Sequence, residues 1–369
     1  MSKPKIAIVT DWLTNMGGAE HLLYSLHMAF PDAPIYTSVF SAEKCPQFKN
    51  LDVRTTYLQK LPRFLREKHQ LFPVFRTRAF KKLNLNEYDV VISCASAEAK
   101  AVKARNGATH ICYCHTPTRY YWSHYEEYKQ NPGFGALDPI IKLLIPPFVK
   151  WMRKLDLESI TGVDYFIANS HEVQNRIKKY YHKDSTVIFP PVETKRFSPT
   201  TKVEKQDYYL VAGRQTPYKR IDLAISTCNN LQKPLIVIGR GSEHQKLVAM
   251  AGPTVKFATN VSDKDMAQYF QRAKGFIFPS LEDFGIVPVE ALAAGTPVVA
   301  FNKGGTLDYI KEGINGVFFD KQTPESVAKA VNKLEKTKFN SKKITEDAKT
   351  FDEEVFIKNM QNFVKSKTS

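Results

Sequence analysis

Short apolar runs recur along this chain, each closed by a turn-forming or charged residue and followed by a stretch whose apolar positions repeat at helical spacing. In the first half the pattern predicts strands over Lys5 to Thr10, Pro34 to Ser38, Asp52 to Thr55, Val90 to Ser93, Thr109 to Cys114 and Tyr165 to Asn169. The runs are apolar at consecutive positions rather than at alternate ones, which is the signature of strands covered on both faces. Strand and helix alternate, so the sheet is expected to be parallel with helices on both sides. The pattern resets at Val187-Ile188-Phe189-Pro190-Pro191-Val192, where a proline pair marks a linker. A second alternating set follows, with strands expected over Tyr208 to Ala212, Pro234 to Gly239, Thr254 to Phe257, Gly275 to Phe278, Pro297 to Phe301 and Gly316 to Phe319. The expected architecture is α/β, with Rossmann-like domains over 1–188 and 189–349 facing a central cleft, and apolar positions at helical spacing over about 350–369. In such sheets ligands bind beyond the carboxyl ends of the strands, so the chemistry is sought there.

Composition agrees with two ordinary cores: 369 residues, 43% hydrophobic and 24% charged. No run of about 18 uncharged apolar residues exists to span a bilayer, and the start of the chain does not read as a signal peptide. A cytoplasmic protein is expected, held peripherally at the inner face of the cell membrane. The five cysteines, Cys45, Cys94, Cys112, Cys114 and Cys228, form no metal-ligand spacing and read as buried thiols.

The net charge of +16 changes the picture, because it is concentrated. Between Arg54 and Lys82 nine Lys or Arg residues stand against the single acid Glu67, interleaved with Phe64, Phe72, Phe75 and Phe80. A basic, aromatic-rich surface suits anionic lipid headgroups, so Arg63, Arg66, Arg76 and Arg78 are candidate membrane or acceptor contacts. A second segment, Leu137 to Lys154, carries exposed-looking apolar residues, with Pro146 and Pro147 expected to break or kink it. The alternative is a core-packed helix pair with a solvated face. No helix-turn-helix, zinc or RNP signature accompanies the charge, so nucleic acid is not an expected partner.

The chemistry concentrates after strands. Ser280-Leu281-Glu282-Asp283-Phe284-Gly285-Ile286-Val287 leads from a strand to a helix N-terminus, a ready anion site. Glu282 precedes that terminus and Glu290 lies about two helical turns, roughly 12 Å, further on. Asp11-Trp12-Leu13-Thr14-Asn15-Met16-Gly17-Gly18 opens the first helix, and Gly17 and Gly18 allow close backbone approach. His115-Thr116-Pro117-Thr118-Arg119-Tyr120-Tyr121-Trp122 follows the fifth strand; Tyr120 and Trp122 suit a carbohydrate wall or a core equally. Gly213-Arg214-Gln215-Thr216-Pro217-Tyr218-Lys219 follows the first strand of the second domain, and Gly239 the second. Asp263-Lys264-Asp265 has the spacing of a metal-binding Asp-x-Asp, but behind Ser262 it reads as a helix cap.

The Glu282 to Glu290 stretch, with Gly304-Gly305-Thr306-Leu307-Asp308-Tyr309-Ile310 downstream, resembles the Glu-x7-Glu signature of the family 4 retaining glycosyltransferases of GT-B fold. His115-Thr116-Pro117-Thr118-Arg119 is similar to bacterial mannosyltransferases that build O-antigen and related surface polysaccharide. The resemblance implies hexosyl transfer with retention from a nucleoside diphosphate sugar, GDP-mannose first and a UDP-sugar second, to a saccharide or polyprenyl-linked acceptor. It assigns His115 and Glu282 to the donor sugar and Glu290 to ribose hydroxyls. Arg214, Lys219 and the Phe284, Gly285, Ile286 and Val287 amides would hold the diphosphate, with Gly17, Gly18 and Gly239 lining the donor site. No metal or cofactor is implied, and in this fold the helix over about 350–369 would pack back on the first domain. A sugar epimerase or phosphorylase of the same architecture, or a non-catalytic nucleotide-sugar-binding partner, would use the same scaffold.

Overall fold

The computed structural model describes residues 4–68, 72–130 and 138–368. Leu137 and Ser369, which the sequence reading placed in helical segments, lie outside these. The chain divides into unit 1, Met1–Phe189 with Phe356–Ser369, and unit 2, Pro190–Val355.

Unit 1 is built on strands β1 (Ile6–Thr10), β2 (Ile35–Thr37), β3 (Val53–Thr55), β4 (Val90–Ala95), β5 (Thr109–Cys114), β6 (Tyr165–Ala168) and β7 (Ser185–Val187). They form one parallel sheet in the order 3-2-1-4-5-6-7. Its helices are α1 (Gly18–Ala29), α2 (Arg63–Glu67), α3 (Pro73–Lys81), α4 (Tyr125–Gln130), α5 (Asp138–Ser159) and α6 (His171–Tyr181). Alternate residues of one strand serve opposite cores. Ile8, Ile92 and Tyr113 pack with Leu22 and Leu26 of α1 and with Phe356, Met360 and Val364 from the end of the chain. Ala7, Val9, Val91, Cys112 and Cys114 pack with Val173 and Ile177 of α6. This two-sided burial explains why the strands read as unbroken apolar runs. All five cysteines are buried.

Unit 2 contains β8 (Tyr209–Ala212), β9 (Leu235–Ile238), β10 (Val255–Ala258), β11 (Gly275–Phe278), β12 (Val298–Phe301) and β13 (Gly316–Phe319), parallel in the order 10-9-8-11-12-13. Helices α7 (Thr194–Phe197), α8 (Ile221–Leu231), α9 (His244–Ala249), α10 (Asp263–Arg272), α11 (Ile286–Ala293), α12 (Pro324–Lys336) and α13 (Ser341–Ala348) surround it. The last helix, α14 (Glu353–Thr368), starts in unit 2 and runs into unit 1.

Three expectations need correction. Pro146 and Pro147 do not break α5, which is continuous around them. The carbonyls of Lys142 and Leu143, which lose their N–H partners, belong to exposed residues, where water replaces the missing bonds. Segment 54–82 is not one basic helical surface: it divides into β3, a 3-10 turn, and the short helices α2 and α3. Arg76 does not face outward; it is 4% exposed and makes a bidentate pair with Glu98 at 2.8 and 3.0 Å. Strand β7 ends at Val187, the first residue of the stretch read as a linker, and the division between units falls inside that stretch, between Phe189 and Pro190.

Candidate active site

In unit 1 the loops leaving the adjacent strands β1, β4 and β5 meet at the carboxyl edge of the sheet. Asp11, just past β1, is buried and accepts from the backbone N–H groups of Ser96, Ala97 and Ala99 at 2.7, 2.9 and 2.8 Å. One carboxylate thus ties the end of β1 to the turn after β4. Gly17 caps α1 without a side chain, and Gly18 is its first residue. His115 follows β5, its N–H donating to the Ala95 carbonyl, and its Nε2 lies 3.1 Å from Cys94 Sγ on β4.

The chain after His115 is held by a buried polar hub. Asp156 of α5 accepts from Lys100 Nζ (2.8 Å), Thr118 Oγ1 (3.1 Å), Trp122 Nε1 (2.7 Å) and Tyr181 OH (2.8 Å). Burial works against the Lys100 charge, yet the facing Asp156 carboxylate raises its pKa above the usual lysine range. Trp122 is therefore a structural donor, stacked on Tyr180, and not an open wall, whereas Tyr120 is 54% exposed. Beside the hub, the Arg76 to Glu98 pair lies under the ring of Trp12. Arg63 and Arg78 are exposed, Arg63 pairing with Glu67 at 3.2 Å, and Arg66 is half-buried.

In unit 2 the loops after β9, β8 and β11, again neighbours, form the second half. Gly213 and Gly239 take φ values of +141° and +117°, and a Cβ on Gly239 would sit 2.2 Å from the Gly213 carbonyl oxygen. The two loops pack backbone to backbone, which only glycine permits. Gln215, fully buried, clamps them: its Nε2 donates to the Gly239 carbonyl at 2.7 Å and its Oε1 faces His244 Nδ1 at 2.6 Å. Lys219 forms an ion pair with Glu282, tying the β8 loop to the β11 loop. Arg214 is exposed beside it.

Glu282 precedes α11, whose N-cap Gly285 has φ +87° and no side-chain cap. The N–H groups of Ile286 and Val287 open the helix, while Pro288 contributes none. Tyr309 OH donates to the carbonyls of Phe284 and Gly285 at 2.9 and 3.2 Å, and Gly305 N–H to that of Glu282 at 2.9 Å. A Cβ on Gly305 would lie 2.3 Å from the Phe284 Cα, so this second turn is moulded to the first. Glu290 follows on α11. Desolvation pushes its carboxyl up to about 7, with Arg196 opposing and Glu193 and Asp263 reinforcing the shift. Asp263 and Asp265 open α10 behind the Ser262 cap, whose Oγ accepts from the Asp265 N–H.

Sequence reading missed Gln215, Tyr309, Asp11 and Asp156. Asp11, Gln215 and Tyr309 lay inside quoted motifs, but nothing in one sequence tells a clamp from a neighbour.

The family model for Glycosyltransferase Family 4 matches residues 16–196 and that for Glycosyl transferases group 1 matches residues 192–351. The chain belongs to this glycosyltransferase family. It is similar to a D-inositol 3-phosphate glycosyltransferase of Nocardioides, 28% identical over 47% of this chain and 46% of that one. It is also similar to an O-antigen chain mannosyltransferase of Salmonella typhimurium, 29% identical over 40% of this chain and 45% of the other. The matched region thus spans about half the length of these curated relatives. Among solved structures, Anabaena HepE in complex with UDP-glucose superposes with a TM-score of 0.70 at 17% identity, covering 99% of this chain and all of that one. That likeness establishes the GT-B fold of this glycosyltransferase.

Proposed function

We propose that the protein transfers a hexose, with retention of configuration, from a nucleoside diphosphate sugar to a lipid-linked or growing saccharide acceptor. The observation that carries the reading is the meeting of Lys219, Glu282 and the uncapped α11 N-terminus at the carboxyl edge of one sheet. The diphosphate is stabilised by the Ile286 and Val287 amides, Lys219 and Arg214, which neutralise the charge that grows on the leaving group without a metal. Glu290 receives the ribose hydroxyls. Glu282 and His115 contact the sugar and favour its oxocarbenium-like state, and the departing phosphate takes the acceptor proton on the same face. Gly17, Gly18 and Gly239 leave room for the backbone to approach the donor.

Similarity to the Salmonella mannosyltransferase favours mannose and hence GDP-mannose. UDP-glucose in the Anabaena structure supports a UDP-sugar as the second reading. Thermal unfolding with GDP, UDP, ADP and their sugar conjugates, with and without EDTA, decides between them. Stabilisation by GDP and GDP-mannose that survives EDTA is expected; a shift with UDP alone would replace the donor, and no shift with any nucleotide would sink the donor site.

A peripheral position on an anionic membrane belongs to the same reading, at the cytoplasmic face. No helix among the described residues is long and apolar enough to cross a bilayer. Support for surface contact comes from α5, which exposes Ile140, Leu143, Leu144, Phe148 and Trp151 beside the exposed Lys142, Lys150 and Lys154. Arg63, Arg66, Arg78 and Tyr120 remain candidate acceptor or headgroup contacts. Co-sedimentation with phosphatidylcholine vesicles, with and without phosphatidylglycerol, is expected to retain the protein only on the anionic ones. Leu143→Glu together with Leu144→Glu should release it, and equal retention of this variant would remove α5 from the reading.

A further inference from the structure

We propose that unit 2 carries a second anion site, at the opposite edge of its sheet from the donor loops, which takes the phosphate group of a small phosphate monoester. Its anchor is Lys205. The proposal goes beyond the reading of the donor site and needs no turnover to be tested. Lys205 stands four residues before β8, and its Nζ lies 2.5 Å from Oγ1 of Thr296, which joins α11 to the start of β12. Arg272 ends α10, just ahead of β11. These residues therefore gather at the amino ends of β8, β11 and β12, a strand's length of roughly 13 Å from the carboxyl edge where Lys219 and Glu282 meet.

Unmatched charge points to the ligand. Lys205 is half-buried, and Thr296 has no exposed surface, so the lysine turns its charged end inward. The Thr296 hydroxyl donates its own hydrogen to the Phe270 carbonyl at 2.5 Å and accepts from the ammonium. An ammonium has three hydrogens to donate, and no carboxylate among the described residues pairs with this one. Burial pushes its pKa down to about 8. Lys100 is also a buried lysine, but Asp156 faces it and holds it charged. A bound anion would do for Lys205 what Asp156 does for Lys100.

The surroundings have room for more than one ion. Lys205 borders a cavity of about 670 Å³ together with Lys202, Gln268, Gln271 and Arg272, and the acid on its rim, Glu204, is exposed. Neither Lys202 nor Arg272 forms an ion pair among the described residues. Gln206, Gln268 and Arg272 also line an adjoining cavity of about 620 Å³, walled in part by Tyr208 and Tyr269. Each volume is that of a small-molecule site. A phosphate between Lys205 and the forked guanidinium of Arg272 leaves the second cavity for the body of an ester.

The test is isothermal titration of the full chain with inorganic phosphate and with glucose 6-phosphate at constant ionic strength, and thermal unfolding in the same solutions. Both ligands are expected to bind, and to raise Tm, at a site that is lost in Lys205→Met and kept in Lys219→Met. Lys205→Met retains the aliphatic stem and removes the ammonium, and affinity should fall at least about tenfold. Without phosphate the same variant should unfold at or above the wild-type temperature, because it removes a buried charge that has no partner. A lower Tm would make Lys205 a structural residue and overturn the proposal. So would binding of neither ligand, exclusion of the ester, or binding that is lost in Lys219→Met and kept in Lys205→Met, which would place the ion at the α11 terminus. Failure of every nucleotide to bind would sink the donor site and leave this one standing.

Discussion

Glu282 and Glu290 belong to one sequence signature, yet their surroundings differ. Glu282 is matched by a lysine, whereas Glu290 is desolvated and its carboxyl is raised to about 7 from 4.5. A raised carboxyl favours the protonated form in the folded state. Its stabilising effect is complete below about pH 4.5 and is lost as pH rises through about 7. Unit 2 should therefore weaken by roughly 3 kcal/mol across that window, and Glu290→Gln should flatten the slope in urea titrations at each pH. On the proposed role of Glu290, donor affinity should run the opposite way, strengthening as pH rises through about 7, because ribose hydroxyls would donate to the ionised carboxylate. Isothermal titration with the nucleotide alone checks that sign. Gly239 sets the other residue-scale limit: alanine there meets both a positive φ and the Gly213 carbonyl. Gly239→Ala should lower the denaturation midpoint by an amount equivalent to at least about 2 kcal/mol. The Gly239 loop was legible as a position after a strand. Its reason, a second backbone pressed against it, was not, because the partner lies in another loop.

At the scale of the element, α5 separates two tasks by face. Its outer face carries the exposed Leu143 and Leu144, and its inner face carries Asp156 at the centre of a four-donor hub. Asp156→Ala leaves Lys100 buried without its carboxylate, and the expected loss is about 3–5 kcal/mol in thermal or chemical unfolding. Leu143→Glu, on the solvent side, should cost under about 0.5 kcal/mol, so any lipid-binding defect in it is not a folding defect. Apolar spacing exposed the helix in the sequence, but its two prolines argued for a break. The argument failed because their orphaned carbonyls face water. The Arg76 error has a similar origin: a charge run looks uniform in one dimension, and only the approach of Glu98 across the fold selects one arginine for burial. Strands fared better, since buried parallel strands announce themselves by local composition alone, with ends shifted by a residue or two.

For the whole molecule, the proline pair at Pro190 and Pro191 placed the division between units within two residues of where it falls. The final helix contributes Phe356, Met360 and Val364 to the core built around β1, β4 and β5, a placement that the family resemblance implied and composition did not. Unit 2 is continuous in sequence, so a 190–355 fragment is expected to fold and to keep the nucleotide-dependent rise in Tm. A 1–189 fragment should expose that core and aggregate. Chain entry and exit run side by side in unit 2, with Val192 N–H bonded to the Phe351 carbonyl at 2.9 Å and Val192 bridged to Asp352. Unit 2 is thus a guest inserted in a host. A single protease nick within the guest would leave each guest piece joined to part of the host, and a truncation series from the carboxyl terminus would remove the host's last helical segment before it touched the guest. Loss of the last residues of this chain would be felt first around Tyr165, whose ring meets Phe363 with centroids 6.4 Å apart and lies 4.7 Å from Lys367 Nζ, in the unit that does not hold the Glu282 loop.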